Sequence, residues 1–325
     1  MQINLDKYDE KIIHYLSDNA RTPINVIARK IRKSPNFVKY RIKNLQETKI
    51  LGQFMMYINW DILGINEYIV YLEIRVKEFS QKDVFDKLME YPFTNWVGSC
   101  FGRYNYRIKL LAKGDKHFLK VLDSLVESFG HGVKKYFYMR IIDPVLMKNR
   151  VVGVPKLFKK VEKKKEFGVL KKIDKKLLYL LYKNPTISLL NLSRALNISP
   201  QAVNKKLKKL EGSIIEGYTV KINISELRHI HCIYAVKLKH YTLLNHKMRS
   251  FIENNKVFGR SFETFGGASV EITIMPKSVD FLERAIDEIN TEFSHNLESF
   301  ETLLMLKKEV SVPTGIFESD YIIAE

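Results

Sequence analysis

At 325 residues, with 46% hydrophobic and 12% aromatic side chains, the chain has the length of two or more domains and the composition of an ordinary folded protein, which excludes disordered, collagen-like and low-complexity classes. No stretch approaches the roughly eighteen consecutive apolar residues of a membrane-spanning helix. The opening Met1-Gln2-Ile3-Asn4-Leu5-Asp6 lacks a basic-then-apolar export signal, so a cytoplasmic protein without membrane contact is expected. Against 36 acidic side chains stand 54 basic ones, a net +18, distributed as +6 over 1–60, +2 over 61–145, +6 over 146–169, +8 over 170–224 and −4 over 225–325. Such segregation points to modules that dock on phosphates, with acidic lipid as the competing partner.

From the N-terminus, the acidic start Asp6 to Glu10 precedes Ile12, Ile13 and Leu16 at helical spacing, and a second helix carries Ile24, Ile27, Ala28 and Ile31. Ser34-Pro35 then opens a third helix: the serine accepts from free N–H groups of the first turn, proline takes the first helical position, and Val38, Ile42 and Leu45 form the apolar face. Beyond residue 60 the period changes to two. Tyr68, Val70, Leu72, Ile74 and Val76 alternate with Ile69, Tyr71, Glu73, Arg75 and Lys77, a strand with one core-facing side. A helix around Val84 to Met89, two strands turning at Phe101-Gly102, a helix from Lys116 to Ser128 and a strand from Val133 to Ile142 complete a β-α-β-β-α-β order.

The whole pattern then repeats at an offset of 165, falling to 164 after one deletion. Asp9 falls on Asp174, Leu16 on Leu181, Ser34-Pro35 on Ser199-Pro200, Val38 on Val203, Arg41 on Lys206, Ile58-Asn59 on Ile222-Asn223, and Phe101-Gly102 on Phe265-Gly266. The expected fold class is α+β: two three-helix units (1–60 and 170–224), each followed by a ferredoxin-like βαββαβ domain (61–145 and 225–325), joined by a basic linker (146–169). That linker includes Lys156 to Lys165 and reads first as a solvated spacer, otherwise as an extra phosphate contact. Packing one sheet on the other would hide both open faces, giving a pseudo-dimer within one chain. Cys100 and Cys232 form no CxxC pair and are expected as reduced, buried thiols.

Helix, tight turn and capped helix is the helix-turn-helix pattern, in which the capped helix enters the major groove. Its outward face presents Asn36, Lys39, Tyr40 and Lys43 in the first copy and Gln201, Asn204, Lys205 and Lys208 in the second. Asn and Gln can pair bidentately with adenine, while Lys and Arg meet guanine or phosphate. With Ser34, Arg41 and Ser199 these residues make up the candidate DNA-binding set. A solvated polar face is the bland alternative for either helix alone.

In Leu5 to Ile13, Asn19-Ala20-Arg21, Ile27-Ala28, Arg41 to Leu45, Ile50-Leu51-Gly52 and Ile58-Asn59, the first copy resembles the Lrp/AsnC family of transcriptional regulators. That family joins an N-terminal helix-turn-helix to a βαββαβ effector and oligomerisation domain. The resemblance covers nearly the whole chain as a tandem form, with a looser second copy. It implies a nucleoid-associated regulator of double-stranded DNA, with winged helix-turn-helix heads, homo-oligomers and the transcription machinery as further partners. It also implies an effector site near a Gly-x-x-Asp-Tyr-like turn, for which Gly102, Asn105 and Tyr106 are the candidates. Asn105 stands where the acid is common, and a neutral amide cannot pair with a ligand amino group as a carboxylate can.

Nothing in the sequence arranges a catalytic constellation, and no cofactor or metal is expected. His229 and His231 share one face of a strand and are expected to point outward. The rival readings are an architectural DNA-coating protein with little sequence preference, and an enzyme like the siroheme decarboxylases, which use a similar two-part architecture.

Overall fold

The computed structural model describes residues 5–75, 79–146 and 170–318. The connector 156–165, Val76 and Lys77 of the first expected strand, and the tail beyond Glu318 lie outside the described residues. In chain order the first copy contains α1 (Lys7–Asp18), α2 (Ile24–Ile31), α3 (Pro35–Glu47), β1 (Leu51–Ile58), β2 (Asn66–Ile74), α4 (Gln81–Glu90), β3 (Thr94–Gly102), β4 (Tyr106–Ala112), α5 (Gly114–Glu127) and β5 (Val133–Leu146). The second contains α6 (Lys172–Lys183), α7 (Leu189–Leu196), α8 (Pro200–Glu211), β6 (Ile215–Ile222), β7 (Cys232–Leu238), α9 (Tyr241–Asn254), β8 (Phe258–Gly266), β9 (Val270–Ile274), α10 (Val279–Glu292), β10 (Leu297–Val310) and the short α11 (Thr314–Phe317). The α+β class and both copies of the helix-turn-helix plus βαββαβ order are present. Among the described residues no helix is long and apolar enough to cross a membrane.

These elements do not group copy by copy. The described residues within Met1–Gly64, Val152–Leu227 and Phe317–Glu325 form one compact unit, and those within Ile65–Val151 and Arg228–Ile316 form another. In the first unit both helical triads are joined by an antiparallel ribbon of β1 and β6, with Phe54 opposite Val220 and Met56 opposite Tyr218. Each of these strands follows a recognition-type helix and would expose a bare hydrogen-bonding edge if its triad stood alone, and pairing them satisfies both edges. Around the ribbon, the Ala20 amide donates to Tyr218 O at 3.1 Å and Thr219 Oγ1 donates to Ser17 O at 2.8 Å. Arg21 Nη1 reaches across to Pro185 O at 2.6 Å and Ile187 O at 3.2 Å.

In the second unit the two βαββαβ copies share one closed barrel of eight strands, in the order β10-β3-β4-β2-β5-β8-β9-β7. The inner faces of the two sheets pack against each other, as the sequence led one to expect, and the edges close as well. β5 pairs with β8 of the other copy and β10 with β3, which removes every free edge in the sheet. Closure also buries both strand faces. Tyr68, Val70, Leu72 and Ile74 pack with Phe118, Val121 and Leu122 of α5, while the alternate residues Ile69 and Tyr71 join Met139, Ile233, Phe262 and Leu303 inside the barrel. The repeated Phe-Gly pairs mark the seams. Gly102 has φ +147°, and a Cβ there would lie 2.8 Å from Thr302 O of β10; Gly266 has φ +117°, and its Cβ would lie 3.2 Å from Tyr138 O of β5. Cys100 and Cys232 are free and buried, and burial pushes each thiol up to about 12.

Candidate nucleic-acid interface

Each recognition helix is positioned from its first residue. Ser34 Oγ accepts from the Phe37 amide at 3.1 Å and Ser199 Oγ from the Ala202 amide at 3.2 Å, with Pro35 and Pro200 at the first helical position. The turns before them pass through a left-handed residue, Arg32 at φ +55° and Asn197 at φ +53°. Asn tolerates that conformation better than Arg, so the second turn is the less strained of the two. Behind α3, Val38 and Leu45 are buried against α1 and α2, and Val203, Leu207 and Leu210 do the same for α8. Ile42, expected in that core, is only half-buried.

On the outer face Asn36, Lys39, Tyr40 and Lys43 are exposed, with Tyr40 at 67%, and in the second copy Gln201, Lys205 and Lys208 are exposed while Asn204 is half-buried. Lys43 meets Glu47 at 3.6 Å in an exposed pair one helical turn apart, worth a few tenths of a kcal/mol at most and no obstacle to phosphate contact. Ser34 and Ser199 are exposed too, with their oxygens occupied as caps.

Arg41 departs from this set. Its guanidinium turns back to α1, with Nη2 at 2.8 Å from Asp6 Oδ2 and Nη1 at 3.4 Å from Asp9 Oδ2, and its plane lies 5.1 Å from the Phe37 ring. In the second copy Lys206 repeats the arrangement, with Nζ at 2.7 Å from Asp174 Oδ1. The duplication thus preserves an ion pair that pins the recognition helix to the first helix, and burial pushes the Asp9 carboxyl upward. The expected result for Arg41→Met is a melting temperature lowered by several degrees, equivalent to roughly 1–3 kcal/mol, because Asp9 loses its partner. The salt dependence of DNA binding should stay as in the parent; a slope reduced by about one would return Arg41 to the phosphate contacts.

The effector candidates are also engaged inside the fold. Asn105 Oδ1 accepts from the Ile74 amide at 2.8 Å and Nδ2 donates to Ile74 O at 2.7 Å, so the side chain extends the ladder past the end of β2. Ser269, its counterpart, makes the same bridge to Leu238, accepting from the amide at 3.0 Å. Tyr106 is buried on the helix side of the sheet, its hydroxyl donating to Gln81 O at 3.2 Å, and Gly102 serves the barrel seam. Both ends of the Asn105 amide and the Tyr106 hydroxyl are thus engaged within the protein. His231 is half-buried rather than outward, with Nδ1 3.0 Å from Lys308 Nζ. Among the described residues no group of three His, Cys, Asp or Glu side chains is placed to hold a metal. Sequence reading missed the buried charges of the barrel, Arg107, Lys109 and Glu271. Lys109 and Arg107 stand opposite Ile69 and Tyr71 across β2 and β4, and Glu271 stands opposite Ala235 across β7 and β9, so all three share the inward face.

The family model for winged helix-turn-helix DNA-binding segments matches residues 5–51 and 170–213, the two triads described above. Over 119 residues the chain is 29% identical to the HTH-type transcriptional regulator FL11 of Pyrococcus furiosus, covering 37% of this chain and 78% of that protein. Over 89 residues it is 32% identical to the HTH-type transcriptional regulator LrpA of Pyrococcus horikoshii, covering 27% and 62%. The crystal structure of the siroheme decarboxylase NirDL shares the fold along nearly the whole length, with a TM-score of 0.61, 96% of this chain and 97% of that one covered, and 12% identity. The chain thus carries two winged helix-turn-helix DNA-binding segments and, in a duplicated form, is similar to HTH-type transcriptional regulators of the Lrp type.

Proposed function

We propose that the protein is a sequence-specific transcriptional regulator that reads double-stranded DNA with two unlike helix-turn-helix heads carried on one chain. The observation that carries this reading is the β1–β6 ribbon, which ties the two capped, basic recognition helices into one compact unit with a set separation. One chain then imitates a dimer on two half-sites about one helical turn, or a multiple, apart. Its faces differ, Asn36, Lys39, Tyr40 and Lys43 against Gln201, Asn204, Lys205 and Lys208, so the half-sites should be unequal. With Asn105, Tyr106 and Gly102 committed to the fold, no effector is assigned to that turn.

We read the chain as a regulator and not an enzyme. Its likeness to NirDL is one of fold, and the barrel's buried Arg107 and Lys109 are turned to Glu271 and Glu67 within the protein. The test is selection from fragmented genomic DNA, followed by a salt titration of the best fragment against a scrambled one. An asymmetric motif preferred by on the order of a thousandfold supports the proposal. Tight binding without enrichment would make the protein architectural instead. Absence of binding at low salt, together with a tetrapyrrole absorbance band on adding haem, would overturn the regulator reading in favour of the enzyme.

A further inference from the structure

The two βαββαβ copies correspond residue by residue at an offset of 164, so Arg107 on β4 and Glu271 on β9 occupy the same position in the two halves. In the strand order of the barrel, β4 and β9 stand opposite one another across the interior. Equivalent positions touch only where the approximate two-fold axis relating the copies passes between them, and these two touch. Arg107 Nε donates to Glu271 Oε2 at 2.9 Å and Nη2 donates to Oε1, a bidentate pair, while the Tyr71 hydroxyl donates to Oε2 at 2.6 Å. Both side chains are closed off from solvent, at 5% and 1% exposure. Burial opposes the guanidinium charge, and the Glu271 carboxylate more than restores it, holding Arg107 above its usual range. The neighbouring Lys109 is balanced within its own half by Glu67 at 3.8 Å, and its counterpart in the other half is the uncharged Thr273.

We infer that Arg107 and Glu271 form a pairing code, by which the inner face of the first βαββαβ half fits the second half and rejects another copy of itself. Two first halves brought together across the same axis would bury Arg107 against Arg107, and two second halves would bury Glu271 against Glu271. Each arrangement sets like charges together without a counter-charge, in a site that excludes water. A barrel made of two identical halves cannot place a complementary pair on its axis, whereas a duplicated chain can. The inference stands apart from the DNA-binding reading, since it concerns only which halves assemble.

The test uses full-length chains. Arg107→Glu places two carboxylates at the axis and Glu271→Arg places two guanidinium groups there; each variant refolded alone is expected to melt roughly 10 °C or more below the parent. Both changes on one chain should return melting to within a few degrees of the parent. The decisive arm refolds the two single variants together at equal concentration. The first half of one chain can then pair with the second half of the other in both directions, so the mixture is expected to melt near the parent and to contain both chains in one complex. Arg107→Met with Glu271→Met, which removes both charges, checks that the site tolerates substitution and should melt near the parent. A mixture that melts as the sum of its separate components, single variants that melt like the parent, or a charge swap that fails to recover while the methionine pair is stable, would each overturn the pairing code.

Discussion

Alanine at Lys39, Lys43, Lys205 and Lys208 together is expected to weaken DNA binding by on the order of a thousandfold at moderate salt, and to lower the salt slope by three to four. All four lysines are exposed on the outer faces of α3 and α8, so their ammonium groups are free to displace counterions from the DNA backbone. None contributes to the apolar cores behind those helices, and melting should stay within about a degree of the parent. Measuring the association constant across a salt series settles the matter. A fall of less than tenfold with the parent slope retained would mean that another surface meets the phosphates.

Proline at Thr219 should produce the second large effect, on coupling between the heads. Thr219 sits in β6 opposite Met55 of β1, and its hydroxyl donates to Ser17 O, so Thr219→Pro removes a side-chain bond, withdraws the backbone N–H and interrupts the ribbon. Each triad keeps its own buried set, Ile12, Ile13, Val38 and Leu45 in one and Leu177, Leu178, Val203 and Leu207 in the other, and helical circular dichroism should be retained. Binding to a single half-site is expected to hold within a few-fold. On two half-sites the variant should lose roughly a hundredfold and its preference for one spacing, because a second contact that is no longer aligned by the first gains little effective concentration. An unchanged spacing preference would show that something other than the ribbon sets the separation.

The recognition helices were legible in the sequence because their determinants are local. Ser34-Pro35 and Ser199-Pro200 cap and start a helix whatever surrounds them, and the spacing of Val38 and Leu45, or of Val203 and Leu210, fixes which side turns inward. Arg41 entered the candidate DNA-binding set as a cation of the recognition helix, although it was not among the residues read onto the outer face. Its capture by Asp6 and Asp9 depends on how α1 crosses α3. Asn105 misled for a similar reason: its place in a family-like turn pointed to a ligand, while both ends of its amide are used by Ile74, thirty-one residues earlier.

By itself the sequence determined the duplication, the two capped helix-turn-helix units, the βαββαβ order and the basic charge of the reading heads, since helix starts, strand periods and repeats are written within windows of a few to a few tens of residues. Only the tertiary structure decided which strand pairs with each free edge. Period-two alternation marks a strand but carries no information on its partner, and here the partners lie far along the chain: β1 with β6, β5 with β8, β3 with β10. Closing those edges encloses Arg107 and Glu271 at the axis of a barrel. A strand edge left without a partner has unsatisfied amides and carbonyls, and the chain meets that requirement with the strands of its other copy.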